Sequence, residues 1–375
     1  MNPARHSLPL IIILALTPTT VIANGESDDK RSRNPTVRVP QDAQTIQDGI
    51  DMVPDGGTVR IAAGTYVETL DIVGKHVDLV GDRRGSGRRT LIVGETPDDI
   101  VPVSRARGLI NYGTGGGGGI ANITLVGGDS AVLGIADVGT VPPDVSMRNV
   151  RMLRNGRGIT GTFGEMRLRN TVISQSLLHG MSACFQLLHL ASTFITNSQQ
   201  LGILAIGCQP DQQLVVDNNS NISGNLSGGV AVFGDVQVGI TDSTFSGNSS
   251  FGILLVETQQ TVFIINTIFE ATLLANTPLY AGLGDGLIAL RSGIVSMIGS
   301  SFVGNQRAGL FLLGTPTFGK FVASVSSGNR FGVVLQSGAS FVTIGSNNVL
   351  TGNWEKNILI DGDLAVPAAP PTPTP

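Results

Sequence analysis

Apolar residues along this chain recur in blocks, and each block opens on a glycine followed by an apolar stretch. The openings are Gly158-Ile159, Gly180-Met181, Gly202-Ile203, Gly229-Val230, Gly252-Ile253, Gly286-Leu287, Gly309-Leu310 and Gly332-Val333, with Asn357-Ile358 as a ninth copy. The steps between them are 22, 22, 27, 23, 34, 23, 23 and 25 residues. Periods of this size mark repeat architectures, in which a unit buries its apolar face only against its neighbours. Counted from the glycine, position +1 reads Ile159, Met181, Ile203, Val230, Ile253, Leu287, Leu310, Val333 and Ile358. Position +3 reads Gly161, Ala183, Ala205, Val232, Leu255, Ala289, Leu312, Leu335 and Ile360. Two largely apolar columns two residues apart predict strands with both columns on one face. A block of this length holds about three short strands and three turns, and identical columns stack only if successive turns run parallel. The pattern therefore predicts an all-β coil with a stacked interior.

Two further columns agree with such a coil. Asn225, Asn248, Asn305 and Asn353 lie four residues before the opening residue, and Asn155 and Asn329 lie three before. Stacked asparagines in parallel turns predict an amide ladder along the axis. Three residues before most of them stands Met152, Ile222, Phe245, Phe302 or Leu350, with Phe194 placed likewise before Asn197; Ser326 breaks the series. This column predicts an internal stack of large side chains. Asn122, Asn218, Asn221, Asn225 and Asn248 match the glycosylation acceptor pattern. The two that belong to the ladder are expected to point inward, where a glycan does not fit.

The outward positions break the expected alternation. After Thr160, Thr162 and Ser182, position +2 reads Leu204, Ala231, Leu254, Ile288, Phe311, Val334 and Leu359. Position +4 adds Ile206, Phe233, Val256, Leu290 and Leu313. An apolar stripe this long on an outer face implies cover by the long Gly252–Gly286 step, by another segment, or by a partner chain. Self-association as a homo-oligomer through this stripe is the expectation it raises.

The flanks read differently. Arg5 and His6 precede the apolar run 8–16, and Val21-Ile22-Ala23 offers small-residue cleavage chemistry, so residues 1–23 read as an export signal. A polar leader follows at 24–35, and 364–375 is a Pro/Thr-rich tail. No later run is long and apolar enough for a spanning helix, so no transmembrane span is expected in the mature chain. A secreted, periplasmic or cell-surface location follows from the signal. Ile46, Ile50 and Val53 have helical spacing before the stop at Pro54-Asp55-Gly56-Gly57, which predicts a short helix covering the open end of the stack. Glycine is abundant, at 50 of 375 residues, roughly twice the usual share of about 7%. Charged residues make up 14% and the net charge is −4, so the global basic field of a nucleic-acid-binding protein is absent. Cys184 and Cys208 lie 24 residues apart, about one repeat, but two positions out of step with each other. A disulfide and two free thiols both remain open on that spacing.

Thr45-Ile46-Gln47-Asp48-Gly49-Ile50, Gly56-Gly57-Thr58-Val59, Gly64-Thr65-Tyr66-Val67-Glu68 and Val80-Gly81-Asp82 together resemble the start of secreted right-handed parallel β-helix proteins of the pectin-lyase-like superfamily. That group holds pectinesterases, polygalacturonases, pectate lyases, alginate epimerases and non-catalytic carbohydrate-associated proteins. The resemblance is tight over 45–82 and looser to about residue 363. It implies an all-β, single-stranded right-handed parallel β-helix over 36–363, with a short N-terminal capping helix. Gly64-x-Tyr66-x-Glu68 also looks like the first pectinesterase motif. The Gln-Asp-Thr, Asp-Phe-Ile-Phe-Gly and Leu-Gly-Arg-Pro-Trp segments that should follow are absent, and the sole tryptophan is Trp354 in a turn. Tyr66 and Glu68 are therefore expected to be structural. Asp98-Asp99 stands alone, His179-Gly180 lacks the preceding glycine of polygalacturonases, and the epimerase Asp-Pro-His-Asp segment is missing.

Two places remain for a site. The Gly252–Gly286 step carries Glu270, Asn276, Tyr280 and Asp285, with Arg291 on the next strand. Insertions on a rigid scaffold are where binding and catalysis concentrate. Glu270 with Asp285 would make an acid pair or a calcium site, Arg291 would join it, and Tyr280 would stack on a sugar ring. The plainer alternative is a tolerated insertion with solvated charges. Arg83, Arg84, Arg88 and Arg89 around flexible glycines would pair with carboxylated polysaccharide, or else form a solvated turn. Histidines and cysteines are too dispersed for a zinc site, and no cofactor is implied beyond calcium as an open option. The leading expectation is an exported protein that binds polysaccharide. Its rivals are a polysaccharide lyase or glycoside hydrolase acting on acidic polysaccharide, and a structural or adhesive solenoid that self-associates.

Overall fold

The computed structural model describes residues 34–364 apart from 83–88, 95–106, 137–138, 276–279, 316, 346 and 362–363. The export signal, most of the leader and nearly all of the tail lie outside the described residues. Between them the chain winds as a parallel β-solenoid of about 12 turns. Each turn lays down three short strands, and strands of successive turns pair in parallel to give three ladders along the axis. The first ladder begins with Thr36–Val39, Gly57–Ile61 and Val77–Gly81 and ends with Ser340–Ile344. The second runs from Gly64–Val67 to Val349–Thr351. The third runs from Leu70–Ile72 to Lys356–Ile360. Arg157–Arg169 and Met181–Ala191 pass without a break from the third ladder into the first.

The glycine-counted columns are the registers of the third ladder. Ile159 pairs with Met181, Met181 with Ile203, Ile203 with Val230 and Val230 with Ile253. The series continues through Leu287, Leu310 and Val333 to Ile358. All but the last of these side chains are buried. The glycine itself is required by a close approach rather than by its dihedral freedom. A Cβ on Gly252 would lie 2.5 Å from the carbonyl oxygen of Gly286, and one on Gly286 would lie 2.6 Å from that of Gly309. Each would also press on the interior at the corner, since the Gly286 Cβ would come within 3.1 Å of both Asn305 Nδ2 and Phe302 Cδ1.

That corner holds the asparagine ladder. Asn225 Nδ2 donates to Asn248 Oδ1 (2.9 Å), Asn305 Nδ2 to Asn329 Oδ1 (3.0 Å) and Asn329 Nδ2 to Asn353 Oδ1 (3.1 Å). Each Oδ1 also accepts the backbone N–H of the preceding turn, as from Asn225, Asn305 and Asn329. Asn225 and Asn248 are fully buried, so these two acceptor motifs are closed to glycosylation. Beside the ladder, Phe245, Phe269 and Phe302 stack face to face with centroids 5.0 and 4.9 Å apart. Ser326 takes the next place in that column, and Phe321 of the first ladder leans in against Phe302, 6.1 Å between centroids. Phe194 does not join the stack. Its turn is displaced by one residue, because Asn197 adopts a left-handed conformation (φ 58) and Ser198 takes the buried ladder place. Ile195 consequently stacks on Ile222 inside, and Phe194 faces out.

The N-terminal end is closed by the helix Ile46–Met52, which buries Ile46 and Ile50 on the core. Thr45 and Asp48 form a reciprocal capping box. Glu68 accepts from the backbone N–H of Ile46 (2.9 Å) and Gln47 (3.2 Å), adding a carboxylate at the positive end of the helix. Lys75 donates to the carbonyls of Asp51 and Val53 at the other end. Tyr66 donates to the Ala62 carbonyl (3.0 Å). The pectinesterase-like Gly-x-Tyr-x-Glu therefore ties down the cap.

The outer apolar stripe is covered within the single chain. Leu254, Ile288, Phe311 and Val334 are fully buried in a second apolar cluster with Phe251 and Phe331. Ala275, Tyr280 and Leu283 of the Gly252–Gly286 insertion lie over it, and the Ala275 N–H donates to the Leu283 carbonyl (2.8 Å). Leu364 joins from the far side, exchanging hydrogen bonds with the side chain of Gln336. The buried part of the stripe therefore needs no partner chain to cover it, while Leu204, Ile206, Phe233, Leu313 and Leu359 stay half-buried. Cys184 and Cys208 are joined as a disulfide, with Cα atoms 6.0 Å apart. Their two-position offset does not prevent the bridge because Cys208 lies beyond the end of the strand Leu201–Ile206, outside its ladder register. Gln212 braces the link, its Oε1 accepting the Cys208 N–H (2.7 Å).

His179 gives the coil an acid-sensitive point. Its Nδ1 accepts the Leu201 N–H (3.3 Å), and burial together with the neighbouring Arg157 lowers its pKa from 6.5 to about 4. The unfolded chain binds the proton more readily between those values, so stability falls as pH drops from about 6.5 towards 4 and is flat above. The full effect is up to about 3 kcal/mol. Thermal midpoints measured against pH should show this slope, and His179→Gln should flatten it.

Candidate functional site

The structure does not bring the described insertion residues together into a site. Glu270 is exposed at the end of Ile268–Glu270 in the second ladder. Asp285 is fully buried in the third, where it binds Arg307: Nε lies 2.8 Å from Oδ1 and 2.9 Å from Oδ2. A terminal guanidinium nitrogen adds a contact to Oδ2 (2.5 Å) and the Ala308 N–H donates to Oδ1 (3.0 Å). Burial pushes the Asp285 carboxyl above its ordinary value, against the pull of Arg307. Both carboxylate oxygens are thus committed, so Glu270 and Asp285 make neither an acid pair nor a calcium site. Among the described residues no group of three or more His, Cys, Asp or Glu is placed to hold a metal ion. Arg291 sits beyond the strand Gly284–Leu290 and pairs on the surface with Glu257 (2.7 Å). Tyr280 packs edge-on against Phe251, 5.2 Å between centroids, and is buried, which removes it as an open platform for a sugar. Asn276 lies outside the described residues, as do Arg83, Arg84 and Arg88; Arg89 is exposed in the turn before Thr90–Val93.

The geometry instead gathers arginines on the outer face of the first ladder. Arg38 pairs in register with Arg60, Arg60 with Val80 and Val80 with Ala121. Ala121 pairs with Arg148, and Arg148 with Arg169. Six successive rungs thus carry one column with an arginine pair at each end and small or apolar residues between. Arg167 stands in the adjacent column, opposite Ser146, and pairs with Glu165 (2.8 Å). All five arginines are exposed. Like charges on neighbouring strands repel, so two stacked pairs without acidic partners are unfavourable until an anion arrives. The surface is hollowed around the column. A depression of about 660 Å³ is lined by Arg38, Gln41, Arg60, Val80, Asp82 and Asn122. A second, of about 350 Å³, is lined by Asp78, Gly119, Ala121, Arg148, Arg167 and Arg169. With rungs ~4.8 Å apart, Arg60 and Arg148 stand about 14 Å from each other along the axis. Asp78 braces the floor by accepting the Gly119 N–H (2.8 Å).

One rung beyond Arg167 stands His189, whose Nε2 lies 3.0 Å from Asp217 Oδ2. The side chain of Asn218 donates to the other Asp217 oxygen (2.8 Å). The sequence held a signal for this face. Arg38, Arg60, Arg148 and Arg169 each follow an interior apolar residue directly, and the two pairs are spaced by 22 and 21 residues. The glycine count begins only at residue 158 and follows the third ladder, so it passes over the first.

Comparisons with known proteins agree with this architecture. Residues 205–365 match the family described as right handed beta helix region. No curated protein matches the chain. Among solved structures, the A-module of Azotobacter vinelandii mannuronan C-5 epimerase AlgE4 is similar over 84% of this chain and 91% of its own, at 14% identity and a TM-score of 0.56. The AlgE6 A-module from the same organism covers 85% and 95%, at 14% identity and a TM-score of 0.52. The catalytic domain of a GH87 alpha-1,3-glucanase in complex with nigerose covers 92% and 70%, at 11% identity and a TM-score of 0.55. At these identities the likeness concerns the fold. By that fold the chain is a right-handed parallel β-helix, as residues 45–82 led one to expect.

Proposed function

We propose that this protein is exported and binds acidic polysaccharide along the outer face of its first ladder. The in-register column Arg38, Arg60, Arg148 and Arg169 carries the proposal. Guanidinium groups pair bidentately with carboxylate, and the rung spacing lets a polymer running along the axis meet both pairs at once. The structural neighbours named for mannuronan and α-1,3-glucan chemistry support a polysaccharide as the ligand class. The sequence of residues 1–23 supports export, and the Cys184–Cys208 disulfide suits an oxidising compartment. A glycan array combined with a depolymerisation screen, with and without calcium, tests the proposal. Binding of uronate-containing or sulfated glycans without cleavage is the expected result. Absence of binding to any acidic glycan sinks it.

His189 and Asp217 favour a second reading, a polysaccharide lyase or hydrolase. A carboxylate-oriented imidazole one rung from an arginine is arranged for proton transfer to or from a bound sugar. Cleavage products in the same screen, abolished by His189→Ala with binding retained, would establish it over simple binding.

A further inference from the structure

Past His189 the outer face of the first ladder changes character. The column that holds Arg167 and His189 continues in register through Val215, Gly239 and Phe263. Phe263 is 43% exposed, an aromatic side chain open to solvent on a strand. Its register partner Gly239 has no structural reason to be a glycine. A glycine inside a strand weakens it, and one is kept where φ is left-handed or where a Cβ would collide. Gly252 and Gly286 are kept for the second reason. Gly239, in the strand Val236–Thr241, meets neither condition. Among the described glycines it alone joins an ordinary φ to empty space, with no heavy atom within 4 Å of the place a Cβ would take. The missing side chain leaves a notch one rung, ~4.8 Å, from the strand position of Phe263. A strand glycine of this kind marks a place where a ligand comes close.

The surroundings suit a sugar ring. Alternation sets Gln237 and Thr241 on the same face, on either side of Gly239, and Gln213 pairs with Gln237. An aromatic surface with a few polar side chains around it is how a small ring is held and oriented. The charges suit an acidic chain. The rung of Arg167 and Arg169 lies four rungs before that of Phe263, and Lys320 lies two rungs after it in the same column. A polymer with repeated negative charge therefore meets a cation on both sides of the ring. His189 and Asp217 stand between the arginines and the notch.

Building on the acidic-polysaccharide reading, we propose that the Gly239 notch and the Phe263 ring form a second subsite of the same binding face. The arginines hold carboxylates of the polymer. The second subsite holds the ring of a unit further along it, about 19 Å away along the axis. Short oligosaccharides then fill one subsite and long ones fill both, so the face reads chain length as well as charge.

Size-defined uronate oligosaccharides separate the two subsites in calorimetric titrations of the full chain. The wild type should bind a decasaccharide about 10-fold more tightly than a disaccharide, which is too short to reach from the arginines to Phe263. Phe263→Ala should remove most of that advantage and leave the disaccharide unchanged. Gly239→Val should do the same by filling the notch. A β-branched residue suits an open strand position, so the thermal midpoint of Gly239→Val should not fall. Arg148→Glu/Arg169→Glu should weaken both oligosaccharides. Binding that depends on the arginines but ignores chain length and both substitutions, at 239 and at 263, overturns this proposal alone. A wild type that binds neither oligosaccharide overturns it together with the reading it builds on.

Discussion

Asp285→Ala is expected to cost about 3–5 kcal/mol, because it leaves the Arg307 guanidinium buried without its carboxylate. Arg307 is held on its other side by the Phe311 ring, 5.0 Å from the centroid, so it has no easy route to water. The pair also lies beneath the insertion, where the Arg307 N–H donates to the Gly284 carbonyl (2.8 Å) and Gln306 accepts from Leu274 N–H (2.7 Å). The loss should appear as a lower urea midpoint and a lower melting temperature. Glu257→Ala, which breaks the exposed Arg291 pair, should change stability by less than about 0.5 kcal/mol. An isosteric apolar replacement of both Asp285 and Arg307 should recover most of what the single substitution loses. A loss below about 1 kcal/mol for Asp285→Ala would contradict the structural role given to the pair.

Arg148→Glu/Arg169→Glu should abolish acidic-glycan binding while leaving the fold intact. A charge-assisted hydrogen bond contributes about 1.5–3 kcal/mol, so reversing two neighbouring arginines should raise Kd by at least 100-fold. Stability should move by no more than about 0.5 kcal/mol, since both side chains are exposed and neither is paired. Calorimetric titration against an acidic oligosaccharide at two salt concentrations would show both the lost affinity and a shallower salt dependence. Unchanged affinity would move the binding surface elsewhere.

The third ladder and the asparagine corner were legible in the sequence because their physics is local and periodic. Each glycine answers a collision with the carbonyl one turn on, and each Asn225-type amide bridges one turn to the next, so the constraint repeats at the period of the coil. Tyr66 and Glu68 were legible as structural residues by the absence of the segments that would have given them chemistry. The Phe194 turn was misplaced by one residue, since only the left-handed Asn197 reveals where that corner bends. The insertion misled more. Glu270, Asp285, Tyr280 and Arg291 are close in sequence, yet they end on different ladders, in the core or on the surface.

By itself the sequence determined the period, the interior columns, the capping helix and the presence of an outer stripe in need of cover. Tertiary structure alone decided what covered it, and it turned Asp285 from a candidate acid into the partner of Arg307. It also brought Arg38 and Arg60 into one column with Arg148 and Arg169, although 87 residues of chain separate even Arg60 from Arg148. The reason is geometric. A parallel coil converts sequence distance into rung number, so periodic constraints can be read along the chain. A surface assembled across rungs exists only once the turns, some long and some short, have set the register.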